Sequence, residues 1–196
     1  MLSHPQGPKV LAAALQDLME WLRGEGISGA VIGGVAASIL GKPRLTRDVD
    51  AVILADDAGW DHVLDSSAAY GLAPRVDDTL DFARRTRILL LRHVATGVDL
   101  DISLGALPFE REAVERSMLV DVGSVQIQLA TAEDVIVMKA LARRPRDIAD
   151  IEGILDVRSD LDLVHIRRWL REFSSVLEMP EIQEDFERLL RRRPAR

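Results

Sequence analysis

The segment DVDAVIL, Asp48 to Leu54, constrains this chain most. It is a short apolar run rich in β-branched residues, which reads as a strand, yet it opens with two carboxylates. Alternate residues of a strand share a face, so Asp48 and Asp50 project together with their Cα atoms about 7 Å apart. Val49, Val52 and Leu54 do not all fall on one face, as expected for a strand covered on both sides. Two like charges on one face repel and disturb each other's protonation unless a cation lies between them.

Two neighbouring segments carry related chemistry. SGAVIGG reads as a short buried strand running into a glycine turn at Gly33 and Gly34, and VAASIL as a short helix stopped by Gly41 and Pro43. Glycine lets a backbone approach a ligand closely, and the amides of a helix N-terminus attract phosphate. Ser38, one helical turn beyond Gly34, stands where its hydroxyl can donate to the same phosphates. Further on, GVDLDISL again places two aspartates, Asp99 and Asp101, on one strand face, with Val98, Leu100 and Ile102 on the other. If this strand lies beside DVDAVIL, a third carboxylate completes a cluster suited to a hard cation, magnesium above all. Together these features describe a place to hold a metal-bound triphosphate. The glycine pair is neither a P-loop nor a dinucleotide fingerprint. The plainer alternatives are a simple turn at the glycines, a solvated strand end for Asp48 and Asp50, and an edge strand carrying Asp99.

The rest of the chain reads as alternating short elements. Val10 to Arg23 carries Leu11, Leu15, Leu18 and Leu22 at helical spacing and ends at Gly24 and Gly26. Asp57 to Tyr70 reads as a helix and GLAPRVDD as a loop; TRILLLRH and GVDLDISL form a hairpin, and a helix starts at Pro108. MLVDVGSVQIQLA reads as two short strands around Gly123. From Thr131 the pattern is helical throughout, opening with a capping-box arrangement of Thr131 and Asp134. The expectation is an α/β (α+β) chain: a mixed sheet core flanked by helices over residues 1–130, then a C-terminal helical region over 131–196.

With 196 residues, 47% of them hydrophobic, and a mean hydropathy of +0.05, there is enough apolar surface for one full core, or for a core plus a small helical appendage. The absence of cysteine excludes disulfides, thiol nucleophiles and cysteine-based metal sites. No apolar stretch approaches the roughly 18 residues of a membrane span, and the N-terminus lacks a signal-peptide pattern, so a soluble cytoplasmic protein with no membrane partner is expected. A net charge of -7 argues against broad electrostatic capture of nucleic acid. Among 25 cationic residues only Lys9, Lys42 and Lys139 are lysines, which draws notice to Lys139 in the apolar helix VIVMKAL.

The sequence apolar-Gly-Gly, then thirteen residues, then DVDAVIL resembles the signature of the nucleotidyltransferase fold of the polymerase-beta superfamily. The resemblance implies that Asp48 and Asp50 are the paired metal ligands. It puts the third carboxylate on the VDLDIS strand at Asp101, ahead of LPFE, with Asp99 as the runner-up. TAEDVIVMKALARRPRDIADIEGIL further resembles the C-terminal portion of the AbiEii-like branch, which includes MenT-type toxins of toxin–antitoxin and phage-defence systems. That branch brings a lysine and an aspartate from the tail into the active site, which map onto Lys139 and onto Asp147 or Asp150. A lysine there can reach a triphosphate as a compact charge, against the plainer reading of a snorkelling surface lysine. Asp147, in the first turn of a helix starting at Pro145, is also suited to a cap. The serine that usually follows the first glycine is replaced by Gly34, which leaves phosphate contact to backbone amides and Ser38. Arg44 and Arg47 in KPRLTR either contact phosphate or line the loop mouth.

The activity implied by the resemblance is transfer of a nucleoside monophosphate from an NTP to a hydroxyl acceptor. Asp48, Asp50 and Asp101 would hold two magnesium ions, with manganese as the alternative, and the helical tail would complete the cleft. The branch implies an RNA acceptor such as a tRNA 3′ end, a toxin role and a cognate antitoxin. An RNA acceptor needs a focused basic patch, for which Arg143, Arg144, Arg146 and Arg191 to Arg193 are the candidates. The alternatives are a small-molecule nucleotidyltransferase of the antibiotic-modifying kind, with an acidic pocket for a cationic acceptor, and a catalytically silent nucleotide-binding module. His4, His62, His93 and His165 show no ligand spacing.

Overall fold

A computed structural model describes residues 7–192; of the residues named above, His4 and Arg193 lie outside that range. In chain order the elements are α1 (Gly7–Gly24), β1 (Ser28–Val31), α2 (Gly33–Leu40), β2 (Asp48–Leu54), α3 (Trp60–Ser67), β3 (Leu72–Pro74), α4 (Thr79–Thr86), β4 (Ile88–His93) and β5 (Asp99–Leu104). They continue with α5 (Pro108–Glu115), β6 (Met118–Val122), β7 (Val125–Leu129), α6 (Ala132–Ala142), α7 (Pro145–Val157), α8 (Leu163–Val176) and α9 (Glu181–Arg192). These elements fall into two units. The first takes the chain up to Ile32 and then Thr46–Leu129; the second takes Gly33–Leu45 and the chain from Ala130 onward. A helix from inside the first half of the sequence thus belongs to the C-terminal helical unit, which the expected division near residue 130 does not include.

The first unit is built on one seven-stranded mixed sheet in the order β3-β4-β5-β2-β1-β7-β6. β2 and β5 run parallel at its centre, and β1 pairs antiparallel with β2 and parallel with β7. The central strands are apolar because both faces are covered: Ala51, Val52 and Ile53 of β2 are all buried, as are Leu100, Ile102 and Leu104 of β5. Each large side chain so buried contributes about 1.5–3 kcal/mol. α1 presents Ala14, Leu15, Leu18, Trp21 and Leu22 at helical spacing to this core, and the Trp21 indole donates to Ser66 Oγ at 2.9 Å. Its Leu22 meets Ile53 beside Gly29, so α1 covers the face of β2 that Val49 and Ala51 share with Ile53. Asp48 and Asp50 have the opposite parity and lie on the other face.

The expected β4–β5 hairpin and the strand pair around Gly123 form, and Gly123 adopts the left-handed backbone at φ 63°. Two segments differ. GLAPRVDD, expected as a loop, contributes β3 at the sheet edge, a three-residue strand ending in Pro74, a residue tolerated at an edge and too short a run to carry a period. α4, unforeseen, has only eight mostly polar residues and buries little beyond Ala83.

In the second unit α6 is the central helix. Val135, Ile136, Val137 and Ala140 are buried around its circumference, as expected for a helix covered on every side by α2, α7, α8 and α9. Thr131 caps it, accepting from the Asp134 backbone N–H, while its hydroxyl donates to Asp134 Oδ2 at 2.6 Å. Asp134 Oδ1 stands 2.6 Å from His165 Nε2 of α8, which gives buried His165 a structural partner. α2 ends at Gly41, where a Cβ atom would stand 2.8 Å from the Ile154 backbone nitrogen and 2.9 Å from the Gly153 carbonyl carbon of α7. The contact is with backbone that cannot swing aside. Gly41→Ala is therefore expected to lower stability by about 1–3 kcal/mol in urea unfolding. Gly59→Ala, at a position with open space around it, is expected to stay within about 0.5 kcal/mol of wild type.

Candidate active site

In the first unit the parallel pairing of β2 and β5 sets Asp48 opposite Asp99 and Asp50 opposite Asp101. Strand neighbours lie about 4.8 Å apart, so four carboxylates occupy one face at the start of the two strands. Thr46 Oγ1 donates to Asp48 Oδ1 at 3.0 Å, and the Asp50 carbonyl accepts from the Ile32 N–H at 2.9 Å, which fixes the start of β2 against the end of β1.

Two arginines answer this negative charge. Arg75 follows β3 and is anchored by its backbone N–H donating to the Leu90 carbonyl at 2.9 Å. Its guanidinium straddles β5, with Nη2 2.7 Å from Asp101 Oδ1 and Nη1 3.1 Å from Asp99 Oδ2. Arg92, opposite Asp99 in the β4–β5 register, donates from Nε to Asp99 Oδ1 at 2.7 Å. The hydrogen bond from Arg92 holds the Asp99 carboxyl below the usual carboxylate range, against the opposing effect of partial burial, with Arg75 adding to the lowering.

All four aspartates are hard oxygen donors of the kind magnesium and manganese take, so the donor set fits the expected metal. Among the described residues, however, no three acidic or histidine side chains converge closely enough to hold an ion as they stand. The cation against Asp99 and Asp101 is a guanidinium.

The second unit holds another charged cluster. Lys139 of α6 is 6% exposed, so it is buried and does not snorkel. Its Nζ lies 3.1 Å from Asp147 Oδ1 and 2.9 Å from Asp150 Oδ2, both carboxylates of α7. Asp147 also accepts from the backbone N–H of Arg144 at 3.2 Å and from Arg144 Nε at 2.6 Å, which makes it helix cap and ion-pair partner at once. Arg44 grips Asp150 with two bonds, Nε to Oδ1 at 2.6 Å and Nη2 to Oδ2 at 2.8 Å. Burial alone would raise both carboxyls. The hydrogen bonds from Arg144 and Lys139 to Asp147, and from Arg44 and Lys139 to Asp150, outweigh it and hold both below their ordinary value.

The glycine turn is also in this unit. Gly33 has φ 64°, a conformation that disfavours any side chain, and it opens α2 with buried Gly34 behind it. Ser38 Oγ is engaged with the loop after α2, accepting from the Arg44 N–H and donating to the Arg44 carbonyl, each at 3.1 Å. Arg47, in the first unit just before β2, is exposed.

Residues 11–190 match the family described as "Nucleotidyltransferase of unknown function (DUF6036)". The chain belongs to that family. Solved structures extend the likeness at the level of the fold. An antigenic nucleotidyltransferase-like protein from Paracoccidioides brasiliensis superposes with a TM-score of 0.55 at 18% identity, over 93% of this chain and 94% of its own. The antibiotic-resistance factor ANT(2″)-Ia in complex with adenylyl-2″-tobramycin gives a TM-score of 0.51 at 12% identity, over 93% of this chain and 98% of its own. The lincosamide antibiotic adenylyltransferase LnuA with lincomycin bound gives 0.50 at 15% identity, over 72% of this chain and 94% of its own. No curated protein matches the sequence.

For this DUF6036 nucleotidyltransferase, sequence reasoning missed Arg75 and Arg92. Arg75 sat in a segment read as a loop, and the only signal available for Arg92 was its place opposite Asp99 in the expected hairpin. The depressed Asp147 and Asp150 carboxyls tie stability to pH in one direction. Each binds protons more weakly folded than unfolded, so its contribution is present above the unfolded pKa of about 4 and is lost as pH falls through the folded value. Asp147→Asn is therefore expected to cost about 3 kcal/mol or more near neutral pH, because it leaves Lys139 under-compensated. The cost should shrink as urea unfolding is repeated below about pH 4.

Proposed function

We propose that this protein is a metal-dependent enzyme that moves a nucleoside monophosphate from an NTP to a hydroxyl acceptor. The observation that carries the reading is the in-register pairing of β2 with β5, which gathers Asp48, Asp50, Asp99 and Asp101 on one face. Asp48, Asp50 and Asp101 would hold magnesium or manganese, which when bound supplies charge neutralisation for the triphosphate and acidifies the acceptor hydroxyl. The acceptor oxygen forms its bond to the α-phosphorus as the bond to pyrophosphate breaks. The protein's own task is positioning and compensation of charge. In the second unit, Lys139, Arg44 and Arg144 set three cations against the two carboxylates of Asp147 and Asp150. Lys139, buried in that cluster, together with a helix opened by Gly33 and Gly34, supports a phosphate-binding role for that unit.

For the acceptor, the likeness of the tail to AbiEii- and MenT-type toxins supports RNA, such as a tRNA 3′ end, and a toxin with a cognate antitoxin. A small-molecule acceptor is the second reading, favoured by a specific observation. Two arginines offered as an RNA patch are neutralised, Arg143 by Glu181 and Asp185 and Arg144 by Asp147. The antibiotic-modifying neighbours support the same reading.

The test is incubation with each α-labelled NTP and magnesium, once with total RNA and once with aminoglycosides and lincosamides, beside an Asp48→Asn/Asp50→Asn variant. Label is expected in one acceptor class, with the variant reduced by about two orders of magnitude or more. Label in a discrete RNA band supports the toxin reading, and label on an antibiotic supports the second. Equal transfer by the double variant would remove the carboxylates from the mechanism.

A further inference from the structure

We infer that Arg75 is a resident cation that competes with the divalent metal for Asp101, and that Asp99 is the residue that holds Arg75 rather than a metal ligand. The inference rests on the metal-binding reading of Asp48, Asp50 and Asp101 proposed above.

Three observations carry it. First, the guanidinium lies where charge compensation is needed most, bridging Asp101 Oδ1 at 2.7 Å and Asp99 Oδ2 at 3.1 Å along one strand face. Asp101 is in turn the direct lateral neighbour of Asp50. Second, the three carboxylates that would hold the ion do not converge while Arg75 stands there. Third, the arginine is fixed at its base and open to solvent in part at its head. Its backbone is pinned to Leu90, whereas the side chain is 23% exposed and reaches Asp101 from the residue that follows edge strand β3. Asp99 is itself clamped by Arg92 at 2.7 Å, so one oxygen of a prepositioned carboxylate stays on Arg75 when the other nitrogen lets go.

Arginine keeps its charge across the accessible pH range, so at neutral pH the pair with Asp101 is broken by a competing cation and not by loss of the guanidinium proton. The metal therefore replaces one ion pair by another. Affinity for free metal is reduced by the strength of a partly exposed, charge-assisted contact, and the displaced guanidinium remains on Asp99 beside the site. The two aspartates of β5 divide the work. Asp101 exchanges between arginine and metal, and Asp99 is a positioning residue for the arginine.

The experiment is titration of the full chain with manganese, reading free ion by electron paramagnetic resonance. Wild type is compared with Arg75→Gln, Arg75→Lys, Arg92→Gln and Asp48→Asn/Asp50→Asn. Arg75→Gln is expected to bind manganese about fivefold more tightly, the factor corresponding to loss of one competing exposed ion pair. Arg75→Lys should stay nearer wild type, because it keeps a cation. Arg92→Gln removes the same charge without touching Asp101 and should change affinity less than about twofold. Unchanged or weaker binding by Arg75→Gln, or equal tightening by Arg92→Gln, would overturn the inference. Binding that survives in the Asp48→Asn/Asp50→Asn protein would instead sink the metal-site reading itself.

A second measurement needs no variant. In the wild-type protein the Arg75 side-chain N–H resonances should exchange faster with water as magnesium is added. Exchange that magnesium leaves unchanged, in protein shown to bind the ion, would overturn the competition.

Discussion

The lateral pairing of β2 with β5 is the constraint on which the functional reading depends. Parallel register puts Asp48 beside Asp99 and Asp50 beside Asp101, and strand spacing keeps the four residues close neighbours on one face. A sheet can tolerate such a row only at its margin and only with positive charge against it, since like charges at this range cost free energy even in a solvated environment. The fold meets the first condition by placing the row at the strand starts, where β2 and β5 emerge from loops. It meets the second with Arg92 of β4 and Arg75, which follows β3. The apolar remainder of β2 and β5 makes the row rigid, because Ala51, Val52, Ile53, Ile102 and Leu104 are locked in the core.

The second unit applies the same physics in a drier place. Lys139, Asp147 and Asp150 are buried together, and a buried ion cluster of this kind adds little to stability compared with apolar packing of the same volume. What it does supply is a fixed geometry. Lys139 is tied to two carboxylates of the next helix, one of which also caps that helix, and Arg44 is tied to the second. A lysine at this position, in a chain that uses arginine almost everywhere else, fits a compact charge in a narrow space better than a planar fork.

Much of this was legible in the sequence because period and punctuation carried it. The alternation in DVDAVIL and GVDLDISL placed the aspartates on shared faces, the glycine pair marked the left-handed turn at Gly33, and the lysine bias singled out Lys139. Other features were not legible, each for a physical reason. β3 is too short to show a period, so Arg75, which follows it, had no assigned place. The cap role of Asp147 was legible from the helix start at Pro145, but the side-chain pairing of Arg144 with it depends on a rotamer that no pattern encodes. The allocation of Gly33–Leu45 to the C-terminal unit depends on the close approach of Gly41 to the α7 backbone, which no local pattern encodes. Ser38, expected to face phosphate, spends its hydroxyl on the Arg44 backbone, a use that depends on how the loop folds back.

The most direct test of the central claim is anomalous diffraction from crystals grown with manganese and an NTP analogue that cannot release pyrophosphate. The account predicts anomalous peaks within ligating distance of Asp48, Asp50 and Asp101, with the α-phosphate against the same ions and Arg75 drawn off Asp101. Manganese bound elsewhere, with the triphosphate away from β2 and β5 and Arg75 still bridging Asp99 and Asp101, would contradict it.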